Sequence, residues 1–251
     1  MKKNRQIAIL LFIFLMTLPL TFNGQVRDDA ALYYNWFDAI TGLENSELHY
    51  GQVYMEKYKV KNKKSQFFYS PDFVSGTVVF DGQIYFGLNL KYNIYDDEVL
   101  MRIQNKFGGN TLQLYKDKIS GFTIVGHQFI KIDSSMANKV IETGFYEVSS
   151  VNLVLRLLKK HKNKLNEHLG EKSSYHEFED SKKKYVLWYQ GSYHPIKKIA
   201  DLTALFPNHK EKLDSFYKSQ KSKLDVDTIL YSLLVYLETQ LPKGNEKTLK
   251  K

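Results

Sequence analysis

From Ile84 to Ile94 the chain alternates: Ile84, Phe86, Leu88, Leu90, Tyr92 and Ile94 occupy the even positions, and Tyr85, Gly87, Asn89, Lys91 and Asn93 stand between them. A period of two marks a β-strand with one apolar face. Eleven residues at about 3.4 Å each make a strand of roughly 37 Å, well beyond the usual five or six residues. Such a strand confines the chain to architectures built on long antiparallel sheets, which curl as they twist. Its apolar side then faces either a filled core or the wall of a cleft holding something apolar. Ile84, Phe86, Leu88, Leu90 and Tyr92 are the candidate ligand-facing wall.

Strand signals continue on both sides. Residues 76–80 enter the long strand through Asp81-Gly82, a pair that tolerates the positive φ of a two-residue hairpin turn. The chain turns again at Tyr95-Asp96-Asp97-Glu98, read as an exposed acidic turn. Further strands are expected at 46–60, with an irregularity at Gly51, and at 99–104, 111–115, 121–125, 127–132, 144–150 and 174–180. Residues 65–73 read as extended until Pro71 breaks them. Residues 184–196 read as a hairpin around Gln190-Gly191-Ser192. Residues 152–169 admit a helix, through Leu153, Leu157 and Leu165, or a strand, through Val154 and Leu155; we take the strand, continuing as an exposed basic ladder.

After Pro195 the pattern becomes helical. Residues 196–206 are stopped by Pro207. Residues 208–221 can start from Asn208 as N-cap with Glu211 closing a capping box. Asp225 or Asp227 can cap the last helix, on which Ile229, Leu230, Leu233, Leu234, Leu237 and Leu241 form one apolar stripe before Pro242 and Gly244 end it. The expected fold class is α+β, mostly antiparallel β: a long curved sheet, half-barrel or open barrel, followed by two or three C-terminal helices. The expected boundaries are a signal peptide at 1–24, a β domain at 25–195, a helical segment packed on the sheet at 196–241, and a disordered tail at 242–251.

The leader reading rests on a basic Met1–Arg5, an apolar Ile7–Leu20 and a small polar stretch before Gln25. These are the three regions of a secretory signal peptide, and the apolar part is shorter than the roughly 20 residues that span a bilayer. The chain has no cysteine, which excludes a lipoprotein anchor, a disulfide framework and thiolate metal sites. The expected location is therefore exported, periplasmic or associated with the outer membrane. Removing Lys2, Lys3 and Arg5 lowers the formal net charge from +9 to +6. Lysine runs at 57–64, 159–164 and 182–184 hold much of the excess. They read as solvated surface, or as attraction to an anionic membrane surface. No nucleic-acid-binding motif is present.

Residues 185–225, "YVLWYQGSYHPIKKIADLTALFPNHKEKLDSFYKSQKSKLD", together with the hairpin "VFDGQIYFGLNLKYNIYDDEV", resemble a family of exported β-rich proteins of Gram-negative bacteria. The likeness runs from about Ala30 to Leu241. That family has no established activity, so the resemblance implies a compartment and a fold and supplies no functional residue. The long antiparallel strands behind a leader also resemble, in architecture alone, the periplasmic lipoprotein carriers of the LolA type, which wrap a curved sheet around helices and hold acyl chains. Here the helices gather at the C-terminus instead.

Catalytic patterns are missing. There is no G-x-S-x-G elbow, no cysteine nucleophile and no phosphate-binding G-K-[ST] loop, and His176-Glu177 is followed by Asp180 where a zinc motif needs histidine. Asp117, Glu177, Glu179 and Asp180 stand out no more than other acids. The seven histidines, among them His127 and His161, form no close pair on any expected strand or helix face, so no metal or cofactor is expected. The expected function is a non-enzymatic binding or scaffold protein of the bacterial envelope, with a lipid-like ligand or a protein partner. The alternatives are an integral outer-membrane β-barrel, whose strands also run about 9–11 residues, and an enzyme acting on glycan.

Overall fold

A computed structural model describes residues 47–241 apart from 50, 62–63, 106–107, 137–140, 152–153, 171–173 and 182. All of these fall in one compact unit, Thr41–Lys251. The leader at 1–24 and the tail at 242–251 lie outside the described residues.

The fold is α+β and mostly antiparallel. The strands are β1 (Gln52–Val53), β2 (Val74–Phe80), β3 (Gln83–Asn93), β4 (Glu98–Asn105), β5 (Gly108–Gln113), β6 (Ile119–Ile124), β7 (His127–Ile132), β8 (Gly144–Val151), β9 (Leu155–Lys160), β10 (Asn163–Leu169), β11 (Ser174–Asp180), β12 (Lys184–Tyr189) and β13 (Ser192–Ile196). Three helices follow: α1 (Ile199–Leu205), α2 (Lys210–Gln220) and α3 (Val226–Gln240). Eleven strands form one open sheet in the order β1-β5-β4-β3-β2-β6-β7-β8-β9-β12-β13, and β10 pairs with β11 alone. The described part of 152–169 is strand, as β9 and β10, but not one exposed basic ladder, since the two strands lie in different sheets. Lys160 is buried and Lys159 and His161 are half-buried, because their side chains turn inward to Asp97 and Glu147.

Three hairpins turn on the same device, two residues at positive φ. They are Asp81-Gly82, Val125-Gly126 and Gln190-Gly191, with φ of 50° and 80°, 49° and 78°, and 50° and 74°. This mirror-image turn matches the right-handed twist of the strands it joins. Val125 is the costly member, because a β-branched residue there crowds its own backbone.

The long strand departs from the one-faced pattern. Gly76 pairs with Leu88 and Val78 with Tyr85, so β3 spends Phe86 and Gly87 where β2 spends Thr77 alone. This is a β-bulge, and Gly87 sits in it at φ 66°. One extra residue swaps the two faces. Leu88, Leu90 and Tyr92 are then buried, at 5%, 0% and 0% exposure, but before the bulge it is Tyr85 that is buried while Ile84 is 37% exposed. Phe86 lies between, half-buried.

The buried side of β3 faces a filled core. Tyr92 meets Phe122 and Phe129 at 5.1 Å and Phe145 at 6.0 Å, and Phe122 stacks on Phe129 at 4.6 Å. Leu88, Leu90, Val78, Phe80 and Ile119 close round them. A second core joins Leu155, Leu157, Leu187 and Ile196 of the sheet to Leu202, Leu213, Ile229, Leu233 and Leu237 of the helices. A third, formed by Ile132, Ile141, Tyr146, Leu158 and Val186, is separate from both.

Two local expectations fail. In place of a strand over 46–60 there is a single turn of 3₁₀-helix at Glu47–His49, the two-residue β1 and an isolated bridge from Val60 to His176. The capping box at Asn208 does not form: Pro207–His209 is already a 3₁₀ turn that runs into α2, whose N-cap, His209, makes no side-chain capping bond to the helix. Asp225 does cap α3, accepting from Thr228 N at 3.0 Å.

Candidate ligand-binding cleft

A cleft of about 850 Å³ opens where β12 begins and β13 ends. The helices wall one side and Ile141–Tyr146 lies on the other. The second and third cores meet here: Ile196, Ile229 and Leu230 come from one, Ile141, Tyr146 and Val186 from the other. The apolar lining follows from packing, because a helix pair and a twisting sheet diverge at the strand ends and leave their last core residues uncovered. The rim is charged, with Lys183, Lys184, Lys197 and Lys198 around it.

The acids at the rim are engaged. Lys183 donates to Asp227 at 2.7 Å, Lys184 donates to Glu142, and the Tyr185 hydroxyl donates to Asp227. Burial tends to raise the Asp227 carboxyl, but Lys183, Tyr185 and Lys159 outweigh it and hold the group below its ordinary value. Asp227 therefore stays ionised one residue inside α3, where the helix dipole also favours a negative charge.

Asp227 leads into a buried charge cluster. Lys159 lies 3.4 Å from Asp227 and 2.7 Å from Glu147. Glu147 also accepts from His127 Nδ1 and His161 Nε2, each at 2.6 Å. Register explains the meeting, since Glu147 pairs with Phe129 on β7 and with Lys159 on β9, and Lys159 pairs with Tyr185 on β12. Burial alone would push the Glu147 carboxyl up; the bonds from His161, Lys159 and His127 bring it down to about 2. The two histidines bind different oxygens of the carboxylate, His127 at Oε1 and His161 at Oε2, and both rings pack on Phe68. Among the described residues no group of His, Asp and Glu could hold a metal ion.

A second cluster centres on Asp97, at the turn read as exposed. Its φ is 61° and its side chain is only 15% exposed. Tyr92 and Lys116 donate to it at 2.6 Å, Lys160 at 3.2 Å and the Phe145 backbone at 3.3 Å. Burial raises this carboxyl, but Lys160, Lys116 and Tyr92 prevail and keep it below its ordinary value. Phe145 belongs to β8, four places from β3 in the sheet, so the bond records how tightly the sheet curls. Beside it is a polar hollow of about 430 Å³, lined by Asp96, Glu142, Lys160 and Lys162.

None of the five wall residues read from β3 lines the larger cleft. Leu88, Leu90 and Tyr92 come together in the filled core, Phe86 flanks the bulge and Ile84 lies on the opposite face. The cleft residues escaped the sequence reading because they come from five separated stretches whose local signals, a lysine run, a helix cap and part of an apolar helix stripe, say nothing of a shared space. Asp117, Glu177, Glu179 and Asp180 do not converge: Asp117 stands on a 3₁₀ turn, and the other three are on β11, where Glu177 meets His168 and Asp180 meets Lys64. No protein-family model, curated protein or solved structure matches the chain.

Proposed function

We propose that this is an exported, non-enzymatic binding protein of the bacterial envelope, and that it holds a lipid-like amphipathic ligand in the cleft between the β12–β13 hairpin and the helices. The observation that carries this reading is the cleft itself, about 850 Å³ with an apolar floor and, at its rim, Lys197 and Lys198 beside the paired Lys183–Asp227 and Lys184–Glu142. Small-molecule sites commonly measure about 300–1,000 Å³ and combine apolar walls with a few placed polar groups. A lysine rim over an apolar floor suits a ligand with an anionic head and a hydrocarbon body. The leader pattern at 1–24 supports the compartment. The proposed seat is not the β3 wall, because the concave side of that strand is filled by aromatic rings. Among the described residues the sheet is open, with β1 and β13 unpaired to each other, and this favours a carrier over an integral barrel, which needs a closed sheet.

Native mass spectrometry of the mature protein purified from its own envelope, with an organic extract of the same sample, tests the reading. The expected result is a discrete added mass that extracts as lipid and is reduced in Ile199→Trp, whose larger side chain narrows the cleft. A clean apo mass in the wild type overturns it and turns the search to a protein partner.

A further inference from the structure

The outer side of the last two helices carries a concentration of exposed apolar side chains. Phe216, Leu224, Val226, Tyr231 and Val235 are 36%, 39%, 55%, 52% and 40% exposed, all within twenty residues. Scattered exposed apolar residues are ordinary, but a cluster marks a contact surface. The helices bring these residues together. Lys212 of α2 lies over the ring of Tyr236 of α3 at 5.7 Å, which matches the start of α2 with the end of α3. In that antiparallel register Phe216, one turn along α2, comes opposite the Tyr231–Val235 turn. Leu224 and Val226 sit at the corner joining the two helices.

Charge identifies the partner. Residues 210–227 contain Lys210, Lys212, Lys218, Lys221 and Lys223 against Glu211, Asp214, Asp225 and Asp227, of which Asp225 is engaged as the cap of α3 and Asp227 by Lys183 and Tyr185. All five lysines are exposed, and among the described residues none forms an ion pair. The stems of such lysines lie along apolar surface while the ammonium groups reach outward to anions. The apolar groups stand out from a helix corner, which suits a soft surface that they can enter better than a rigid one that must be shaped to receive them. We infer that the α2–α3 corner docks on the surface of an anionic lipid bilayer, with Phe216 and Leu224 entering the headgroup region and Lys218, Lys221 and Lys223 binding the headgroups. Val226 belongs both to this corner and to the cleft lining, so the docked corner sets the cleft against the bilayer. The inference is independent of the cleft reading, because vesicle binding requires no occupied cleft.

Flotation of the mature protein with vesicles tests it. The protein is expected to float with vesicles of mixed phosphatidylglycerol and phosphatidylcholine, to stay behind with phosphatidylcholine alone, and to be released by salt. Lys218→Glu, Lys221→Glu and Lys223→Glu together should weaken binding roughly a hundredfold or more. Phe216→Ser with Leu224→Ser should weaken it at least about tenfold. The lysine variant should melt within a few degrees of wild type, since those groups are exposed, and the Phe216, Leu224 variant is compared at a temperature where its folded fraction matches wild type. Ile199→Trp should bind vesicles like wild type, which separates this surface from the cleft. The inference is overturned if the wild type ignores anionic vesicles, or if either multiple variant floats as the wild type does.

Discussion

The two halves of the large sheet solve the same problem differently. Around β2, β3, β6 and β7 the sheet curls onto itself, and Tyr92, Phe122, Phe129 and Phe145 fill the concavity ring against ring. The Asp97 turn then fastens β3–β4 to β8 and β9. Around β9, β12 and β13 the sheet relies on helices for cover, and helices meet a twisted sheet imperfectly at its corner. The first half ends with a filled concavity and only a polar hollow of about 430 Å³ beside the Asp97 turn, the second with an apolar-floored cleft of about 850 Å³. A sheet filled by its own side chains is a scaffold; one covered by a separate layer can open at the seam. The sequence is most regular along β3, but the space lies where two kinds of element join.

The contrast can be broken most sharply at Gly144. Its φ is 120°, and an added Cβ would stand 1.9 Å from the Asp97 carboxylate and 2.5 Å from Lys160 Nζ. Gly144→Ala should cost about 3 kcal/mol or more in denaturant unfolding, by backbone strain and by parting a buried charge from its partners. The loss should fall on the filled half, with the helices retaining their hydrogen-exchange protection longest if the halves open separately.

Glu147, which joins the halves, carries the pH dependence. Its folded carboxyl titrates at about 2 against an ordinary 4.5. Because the folded value is the lower one, its contribution is complete above about pH 5 and is lost as the pH falls toward about 2, on the order of 3 kcal/mol in all. Glu147→Gln should remove a similar amount near neutrality by leaving Lys159 short of a partner, and should flatten the acid limb of a stability–pH profile. An acid limb unchanged in the variant would assign that pH dependence to Asp97 and Asp227 instead.

The smallest effect is expected at Val125. Val125→Asn places a residue that tolerates positive φ at the first position of the β6–β7 turn and should stabilise the protein by about 0.5–1 kcal/mol in thermal unfolding. Ligand release should not change, since the turn is remote from the cleft.

Much of the fold was legible in the residues. Asp81-Gly82 and Gln190-Gly191 turn where such pairs must, 127–132 and 174–180 are strands with the expected bounds, and the Ile229–Leu237 stripe packs on the sheet. Gly87 was the available warning in the long strand. A glycine among alternating residues often marks a bulge, and this one reverses the face of everything before it. The failed cap at Asn208 has a comparable cause, since the 3₁₀ turn begun by Pro207 reaches the helix before the side chain can act.

What the sequence determined by itself is local: which segments are strands, where the hairpins turn, which helix face is apolar, and that no thiol chemistry is available. Spacings of two and four residues and the φ preferences of single residues encode these, and they act within a few residues. Only the tertiary structure decided that Asp97 is buried, that His127, Glu147 and His161 share one carboxylate, and that the space lies beside α3 and not under β3. Those outcomes depend on strand register and on how far a twisted sheet curls before a helix layer meets it, which are sums over the whole sheet that no short stretch of sequence contains.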